Sequence, residues 1–443
     1  MNKMRKNKMI KKIAAGFLAA AMVITTTACG GNDAAKNKDA EKSTTDQKTA
    51  DSSKVTTLTM WNTFTGSDGE VLRKIVDQFN TASDSIQIDM EIMPMNNFNE
   101  QLPPAITSDT APDFVIMPYA ILAPYAANGV LKPMDDFWNF EGVDKSDFTE
   151  GSVKLGMVDG VQYFVPMCVN SLYLYWNKDL FKGAGLDVDT PPATWEELEE
   201  LAAKIVDSEK NVSGYVFPLA GNGQTIFYNW LVQNGGRLVS DDYTKSEFAS
   251  PETLEVLKAI QNMVVTEKVG PNDVTGPEAD NLMGAGQLGM FINGPWLNAG
   301  LQANEINYGI TSMPQVNAEK PFANLQGSGF SIPVSTEDSK TDAIFEFVKY
   351  WNSTEVAKQW SIEAGFPSQL LSVAEDPEVQ EHPIISKLSD QIKFAEPLMP
   401  GFAEIGTINA DIIDPMLERL LQGENPETLM NEAHDAINTM LGN

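Results

Sequence analysis

The stretch Val55-Thr-Thr-Leu-Thr-Met-Trp61 opens the folded part of the chain and decides its fold class. It is rich in β-branched and apolar residues, which predicts a strand. Loop chemistry follows at 63–69, and apolar residues recur at helical spacing over 71–79. A second strand is predicted at 86–92, where apolar and polar residues alternate, and a buried third strand at 113–117. This β-α-β-α-β order favours a mostly parallel sheet, so we expect an α/β protein.

Further helices are predicted from end signals and apolar spacing. Thr194-Trp-Glu-Glu197 is a capping-box sequence that marks a helix start, and the spacing over 343–351 predicts a helix late in the chain. Asp414-Pro415 is expected to supply the cap and first position of another helix, over 417–421. Pro103-Pro104 is expected to interrupt or end the helix between the second and third strands.

The composition is that of a folded, acidic protein. Its 443 residues include 31 Lys and Arg, 61 Asp and Glu and two His, and at roughly 150 residues per domain the length predicts two or three globular units. Residues 1–29 carry six bases and no acid, so the formal net charge of −30 becomes −36 for the remainder. Such a body repels nucleic acid and anionic headgroups, and two His argue against a multi-His metal site.

The first 29 residues have the pattern of an export signal. The bases precede a twelve-residue apolar stretch, 13–24, which is shorter than the about 20 helical residues that cross a bilayer. Cys29 follows a small residue and precedes two glycines, which resembles a bacterial lipobox, although Thr26 stands where that motif usually has Leu. The sequence predicts a lipoprotein signal peptide at 1–29 with lipidation of Cys29. An ordinary secretory signal cut nearby is the alternative.

Residues 30–54 are predicted to be a disordered tether. Ala is their one apolar residue type, and five acids and five lysines alternate with small polar residues. Such a composition cannot offset the entropy of ordering. With Cys29 lipidated, Cys168 has no partner for an intrachain disulfide and is expected to be a buried apolar residue.

Catalytic and cofactor motifs are weak. Residues 284–289 match GxGxxG, but that pattern needs a strand before it and a helix after it, whereas a strand-like run follows it here at 288–292. Neither His lies near a glycine-rich nucleophile turn, and His434 falls on the polar part of a C-terminal helix. A carboxylate pair for glycoside hydrolysis stays open, because the sequence alone cannot pair the acids.

Three aromatic residues stand where predicted strands end. Trp61 ends the first strand, Tyr119 follows the third, and Trp296 follows the run at 288–292. A parallel sheet places its ligand crevice at the carboxyl ends of its strands, and a flat ring among amides and hydroxyls suits the C–H face and hydroxyl edge of a sugar. Core packing is the alternative for each ring alone. Their shared position favours a carbohydrate site.

A longer pattern resembles a known family. The segments DGVQYFVP at 159–166, LYWNKDLF at 174–181, AGL at 184–186 and PPATWEEL at 191–198 are similar to the DGKxYGxP, YNKDLF, AGL and PPxTWxEL signature of family 1 extracellular solute-binding proteins. These are the sugar receptors of ABC importers. The likeness runs from about residue 58 to the C-terminus.

The resemblance implies a two-lobed periplasmic-binding-protein-like fold, with the ligand cleft between α/β lobes that are joined by crossing hinge segments. Mapped by motif, the lobes and crossings have these ranges: lobe one, 55–167 and 328–366; lobe two, 171–324 and 370–443; crossings, 167–170, 326–328 and 366–369.

By the same resemblance, nine residues are expected to bind the ligand: Thr63, Phe64 and Thr65 after the first strand, Tyr119, Asn170, Trp296 and, by looser matches, Thr225, Trp230 and Ser328. The family's maltose receptor has charged side chains where this chain has Thr65, Gly66 and Asn170, so maltose itself is not singled out.

The function that the resemblance implies is an extracytoplasmic receptor without enzymatic activity, cofactor or metal. It would close on a neutral mono- or oligosaccharide and deliver it to the transmembrane subunits of an ABC permease. We expect a monomer that is held to the outer face of the cell membrane through the lipid on Cys29 only. Two alternatives remain: a secreted glycoside hydrolase, and a receptor of the same build for a polyamine or another cation.

Overall fold

A computed structural model describes residues 55–219 and 222–442, and its strands lie in two main β-sheets. The predicted signal peptide, Cys29 and the predicted tether lie outside the described residues. The strands are β1 (Thr56–Asn62), β2 (Ile86–Ile92), β3 (Phe114–Pro118), β4 (Met157–Val158), β5 (Val161–Gln162), β6 (Val165–Asn170), β7 (Tyr173–Asn177), β8 (Ser213–Tyr215), β9 (Leu288–Asn293), β10 (Tyr308–Ser312), β11 (Ala323–Ser331) and β12 (Ala395–Pro397).

The α-helices of the described residues are α1 (Ser67–Ala82), α2 (Met95–Thr107), α3 (Tyr119–Ala127), α4 (Glu150–Leu155), α5 (Lys178–Gly183), α6 (Trp195–Ile205), α7 (Asn222–Gln233), α8 (Pro251–Gln261), α9 (Gly276–Gly284), α10 (Leu297–Ala303), α11 (Thr341–Trp351), α12 (Thr354–Ala364), α13 (Leu371–Ala374), α14 (Pro377–Glu381), α15 (Ile385–Ile392), α16 (Ile405–Ile408), α17 (Asp414–Leu421) and α18 (Pro426–Met440). None of them is long and apolar enough to cross a membrane.

The first sheet has the strand order β12-β11-β3-β1-β2, and β6 pairs with β11. β1 runs parallel to both β2 and β3, which confirms the predicted β-α-β-α-β unit. Leu58 and Met60 of β1 are fully buried and share a core cluster with Leu72 and Ile75 of α1. The apolar periodicity of α1 therefore covers the sheet, as an amphipathic crossover helix must.

The second sheet has the strand order β10-β7-β9-β8 and is mixed. β7 is antiparallel to β9 and β10, whereas β8 is parallel to β9. All five residues of β7 and all six of β9 are buried. These continuous apolar runs are typical of strands that are covered on both faces.

Two paired strands connect the sheets. β6 belongs to the first sheet and β7 to the second, and β11 runs antiparallel to β6 with Gln326 opposite Asn170 and Ser328 opposite Cys168. A Cβ added at Gly327 would lie 2.4 Å from the carbonyl oxygen of Cys168, so this close backbone approach requires glycine. Cys168 is free and buried, as expected, and burial raises the pKa of its thiol to about 12.

The segment after α12 contacts the residues before β6 first and the second sheet later. Leu370 bridges Phe148, the Ser372 hydroxyl donates to Asp147 at 2.6 Å, and both partners precede β6. α15 contacts β10 of the second sheet, and the Gln391 side chain accepts the N–H of Met313, just after β10, at 2.8 Å. The third crossing, expected at 366–369, stays a prediction.

The predicted break at Pro103-Pro104 is wrong, because α2 continues through both prolines to Thr107. The carbonyls that lose their N–H partners belong to Asn99 and Glu100, which are exposed. Water can bond these carbonyls, and the fixed φ of proline is compatible with a helix, so the cost of two prolines is reduced here.

The predicted cap at Asp414 is also wrong. A π-helical segment, Asn409–Ile413, joins α16 to α17, and the N-cap position of α17 is Ile413 without a side-chain bond. Pro415 is tolerated because it follows this π-turn, where the hydrogen-bond register already shifts.

The other local signals have the expected outcomes. Glu197 N–H donates to Thr194 Oγ1 at 3.1 Å in the capping box of α6, and α11 covers the helix predicted at 343–351. Residues 284–289 run from the end of α9 into β9, which is the reverse of the dinucleotide-binding order. His434 lies on α18 and contacts the Ser246 hydroxyl at 2.9 Å, which is a packing role.

Candidate functional site

A central cavity of about 740 Å³ lies at the carboxyl ends of β1 and β3, beside the paired strands β6 and β11. Its volume is within the usual range for small-molecule sites, about 300–1,000 Å³. The loop after β1 and the residues after β3 line one part of the cavity. The rest of the cavity wall comes from α7, from Trp296 and from the segment after β12. This is the crevice position expected for an α/β sheet.

Eight of the nine residues predicted to bind a ligand line the central cavity: Thr63, Phe64, Thr65, Tyr119, Asn170, Thr225, Trp296 and Ser328. The structure brings them together from six separate parts of the chain.

Trp230 does not line the central cavity. It is 7% exposed and stacks on Trp195, with ring centroids 4.3 Å apart and an interplanar angle of 3°. The two rings border a separate pocket of about 270 Å³. Trp61, the third strand-end ring, is also absent from the cavity wall and packs against the core. Core packing explains the positions of Trp230 and Trp61.

Trp296 presents an accessible ring on a fixed loop. Its side chain is 42% exposed, and a Cβ added at Gly294 would lie 2.1 Å from the indole, so the ring rests on the Gly294 backbone. Tyr175 donates its hydroxyl to the Gly294 carbonyl at 2.9 Å, and Gly294 N–H donates to Asn293 Oδ1 at 2.8 Å. A ligand therefore meets an indole whose supporting loop is already ordered.

Phe64 is held by aromatic neighbours. Its ring makes edge-to-face contacts with Trp360 at 5.3 Å and Phe366 at 6.2 Å between centroids. The backbone N–H of Phe64 donates to Asn62 Oδ1 at 3.1 Å, which orders the loop after β1.

Tyr119 acts as a hydrogen-bond donor in this structure. Its hydroxyl donates to the carbonyl of Leu398 at 2.7 Å, and Leu398 N–H donates to Asn324 Oδ1 at 3.2 Å. Burial, with a smaller contribution from Tyr243, raises the pKa of Tyr119 far above its ordinary value, so the phenol stays protonated.

Five carboxamides line the central cavity. They belong to Asn170, Gln224, Asn324, Gln326 and Asn409. The Oδ1 atom of Asn170 is buried and has no hydrogen-bond partner among the described residues. A buried unpaired acceptor costs about 1–3 kcal/mol, and a ligand donor would remove that cost.

Tyr228 and Asn409 form a hydrogen-bonded pair on the cavity wall that was not predicted from the sequence. Tyr228 donates its hydroxyl to Asn409 Oδ1, and Gln224 hydrogen-bonds the carboxylate of Asp414 behind the wall. Burial raises the pKa values of Tyr228 and Asp414. Asn409 begins the π-helical segment, and π-turns are frequent at functional sites.

Sequence reasoning also missed the segment after β12. Leu398, Met399, Gly401 and Phe402 line the central cavity. Met399 has φ of 47° and Gly401 has φ of 78°, so two nearly adjacent residues adopt the left-handed conformation. The proline- and glycine-rich sequence Pro397-Leu-Met-Pro-Gly401 signals a loop, but its position at the cavity is a tertiary property.

The cavity wall carries very little charge. Among the described lining residues there is no Lys, Arg or His, and Asp68 is the one carboxylate. Burial raises the pKa of Asp68, against the opposing effect of backbone hydrogen bonds from Gly69 and Gly66. Such a wall suits a neutral, hydroxyl-rich molecule with an apolar face.

Comparison with protein-family models gives a match over residues 74–387 to a model described as bacterial extracellular solute-binding protein. Among curated relatives, the maltotriose-binding protein of Pyrococcus abyssi is 23% identical over 393 residues, covering 87% of this chain and 80% of the relative. The sn-glycerol-3-phosphate-binding periplasmic protein UgpB of Brucella abortus is 27% identical over 339 residues, covering 72% and 76%.

Solved structures with similar folds include an ABC transporter solute-binding protein of Thermotoga lettingae bound with alpha-D-tagatose. It has a TM-score of 0.77 and 26% identity, covering 87% of this chain and 100% of that chain. The cyclic alpha-maltosyl-1,6-maltose binding protein of Arthrobacter globiformis has a TM-score of 0.74 and 25% identity, covering 87% and 99%.

Proposed function

Because the chain belongs to the bacterial extracellular solute-binding proteins, we propose that it is the sugar receptor of an ABC importer. It captures a neutral mono- or oligosaccharide and releases it unchanged to the permease subunits. The observation that carries this proposal is the central cavity. Aromatic rings and five carboxamides line it, and none of its described lining residues is basic.

The charge of the cavity wall favours one of the two classes of ligand that appear in the names of the relatives, neutral sugars and phosphate esters. A phosphate ester such as sn-glycerol 3-phosphate is ordinarily held by Arg or Lys, because these form charge-assisted hydrogen bonds to its oxygens. The described cavity wall offers no such cation, and Asp68 would repel an anion. A neutral sugar, as in the names of the maltotriose and tagatose receptors, fits this wall better.

In the proposed binding mode, one sugar face stacks on Trp296, and hydroxyl groups bond Asn170, Thr65 and Gln326. Each stack contributes about 1 kcal/mol beyond area burial, and each hydrogen bond a net of about 0.5–1.5 kcal/mol. Micromolar affinity corresponds to about −8 kcal/mol, which a few such contacts and apolar burial supply.

We also propose that two lobes, each built around one of the two main sheets, close on the ligand. The short strand β12 pairs with the start of β11 at 323–325 and is assigned to lobe two. Lobe one comprises about 55–167 and 328–381, and lobe two about 171–324 and 382–442, with β6 and β11 as the hinge pair. The contacts of Leu370 and Ser372 with the segment before β6 support this boundary. Closure is favoured because only the closed form contacts the sugar from both lobes.

The anchoring proposal rests on sequence pattern. Cys29 is lipidated, and 30–54 tethers a monomeric receptor to the outer face of the cell membrane, where the permease subunits recognise the closed form. Family membership supports an extracytoplasmic location.

A receptor is favoured over a glycoside hydrolase. The named relatives are binding proteins, and canonical glycosidases use a pair of carboxylates, whereas the described wall holds Asp68 alone.

Thermal denaturation of the purified protein with maltose, maltotriose, tagatose, sn-glycerol 3-phosphate and spermidine tests the proposal. A neutral sugar should stabilise the protein by about 2.7 kcal/mol at one hundred times its dissociation constant, without release of reducing ends. Stabilisation by the phosphate or the polyamine alone, or hydrolysis of an oligosaccharide, would contradict it.

A further inference from the structure

Asp68 lies in the first turn of α1, where the central cavity meets an adjoining cavity of about 210 Å³. Gly66, Trp296 and Phe366 border both cavities, as Asp68 does. The carboxylate and the exposed indole therefore stand at the same end of the central cavity. The family signature drew attention to the residues before Asp68, and neither charge nor spacing singled out Asp68 in the sequence.

The carboxylate of Asp68 is held through one of its two oxygens. Oδ1 accepts the N–H of Gly66 at 3.1 Å and the N–H of Gly69 at 2.8 Å. Oδ2 accepts no hydrogen bond from the described residues. The backbone thus fixes the orientation of the group and leaves a second acceptor open, which is a preorganised arrangement for a ligand donor.

No basic side chain of the described residues pairs with this carboxylate. Of the other titratable groups near it, Glu363 and His382 line the adjoining cavity, and Glu363 is paired with Lys74 at 2.8 Å. The thiol of Cys168 is buried, and its pKa is raised by burial and, to a smaller extent, by the charge of Asp68. A partly desolvated carboxylate without a cation is costly, and a ligand that donates hydrogen bonds to Oδ2 lowers that cost.

We propose that Oδ2 of Asp68 determines ligand specificity by accepting hydrogen bonds from hydroxyl groups of the sugar unit that stacks on Trp296. This inference rests on the proposed function and narrows it. The unit bound at this end carries free hydroxyl groups, and a uronic acid unit is rejected there because its carboxylate would face that of Asp68.

Calorimetry on the full protein tests the assignment, with maltotriose as the probe, or tagatose if that sugar binds the wild type more tightly. In D68N the remaining oxygen can still accept the N–H groups of Gly66 and Gly69, while the open acceptor becomes an NH₂ donor. Affinity should fall about ten- to hundred-fold, the usual loss for a hydrogen bond to a charged group. D77N is the matched control, because Asp77 is exposed on the same helix and loses the same charge. Its affinity should equal that of the wild type.

The pH dependence supplies a readout that a purely structural role would not change. Burial raises the pKa of Asp68 above 3.8, so wild-type affinity should fall as the pH decreases through that raised pKa. D68N should be flat in the same range. A decline that persists in D68N would assign the effect to another group and overturn the inference.

The outcomes separate this inference from the proposed function. If wild type binds a neutral sugar and D68N binds it equally well, the Asp68 assignment fails and the receptor function stands. If no neutral sugar binds wild type, both fail. D68E provides a second variant should D68N not fold, since it keeps the charge and displaces the oxygens by one methylene; it should bind at least several-fold more weakly and retain the pH dependence.

Discussion

The hydroxyl of Tyr119 donates a 2.7 Å hydrogen bond to the carbonyl of Leu398, joining the end of β3 to the segment after β12. These residues are 279 positions apart in the chain, and both line the central cavity. In the proposed two-lobe division this bond connects the lobes without a ligand. It therefore contributes to the balance between open and closed forms.

Tyr119→Phe should shift the free protein toward the open form. The variant keeps the ring and removes the bond between the lobes, whose net contribution is about 0.5–1.5 kcal/mol. Small-angle scattering should show a larger radius of gyration without sugar and an unchanged one with saturating sugar. Tyr243→Phe is the control, because it loses a 3.1 Å bond to Pro400 within the same proposed lobe. Identical scattering of free Tyr119→Phe and wild type would contradict the prediction.

Trp296→Ala should weaken sugar binding at least ten-fold, because it removes both a ring stack and the apolar area that the sugar covers. Trp296→Phe should lose less, since a smaller ring remains. Gly294→Ala should resemble Trp296→Ala, because the new Cβ would displace the indole. Calorimetry measures each affinity.

Trp230→Phe is the matched control for the indole, because it alters the buried stack on Trp195. It should lower the melting temperature and leave affinity unchanged. If Trp230→Phe weakened binding as much as Trp296→Ala, the indole stack could not be the source of affinity.

Asn170→Leu should separate stability from binding. The substitution removes a buried oxygen that has no partner among the described residues, so the free energy of unfolding should stay level or rise by about 1 kcal/mol. Sugar affinity should fall at least ten-fold. Ser331→Ala is the control, since its buried hydroxyl on β11 is likewise unpartnered but does not line the cavity. It should leave affinity at the wild-type level, and a marked loss of stability in Asn170→Leu would show that Asn170 supports the fold instead.

The fold class follows from local patterns, because the alternation over 86–92 and the helical spacing over 71–79 each report which face is buried. The capping-box sequence predicted the start of α6, because a helix cap is also a local signal. The predictions at Pro103-Pro104 and Asp414-Pro415 were wrong for reasons that the local sequence does not show. The free-energy cost of the prolines in α2 depends on the exposure of the carbonyls that lose their partners, and Asp414 follows a π-helical segment and not a loop.

The site was less predictable, because its walls converge from distant segments. Family resemblance, rather than periodicity, supplied the residues after β1 and at the end of β6. Trp230 shows the limit of this transfer: an indole on an amphipathic helix fits a cavity or a core, and only the neighbouring Trp195 decides. Asp68, Asn409 and the segment after β12 became visible only once the chain was folded.

Asp280 gives a pH-dependent test of the loop that carries Trp296. This residue of α9 accepts a 2.5 Å hydrogen bond from the Asn293 side chain, and burial raises the pKa of its carboxyl from 3.8 to about 6. Between these values the folded protein binds the proton more tightly than the unfolded chain. The contribution of Asp280 to stability is therefore full below about pH 4 and is lost as the pH rises through about 6.

Asp280→Asn should abolish this loss, because the amide stays neutral and still accepts the Asn293 bond. Urea denaturation should find the variant equal to wild type near pH 4 and more stable by roughly 1–2 kcal/mol near pH 7.5, after allowance for solvent screening of a partly exposed group. Glu278→Gln on the same helix is the opposite control, since hydrogen bonds from Thr275 lower the pKa of Glu278. That variant should lose stability at neutral pH, and its difference from wild type should shrink as the pH falls through the lowered pKa of Glu278. A variant that is less stable than wild type at pH 7.5 would contradict this prediction. The ionised carboxylate of Asp280 would then stabilise the folded state through Asn293.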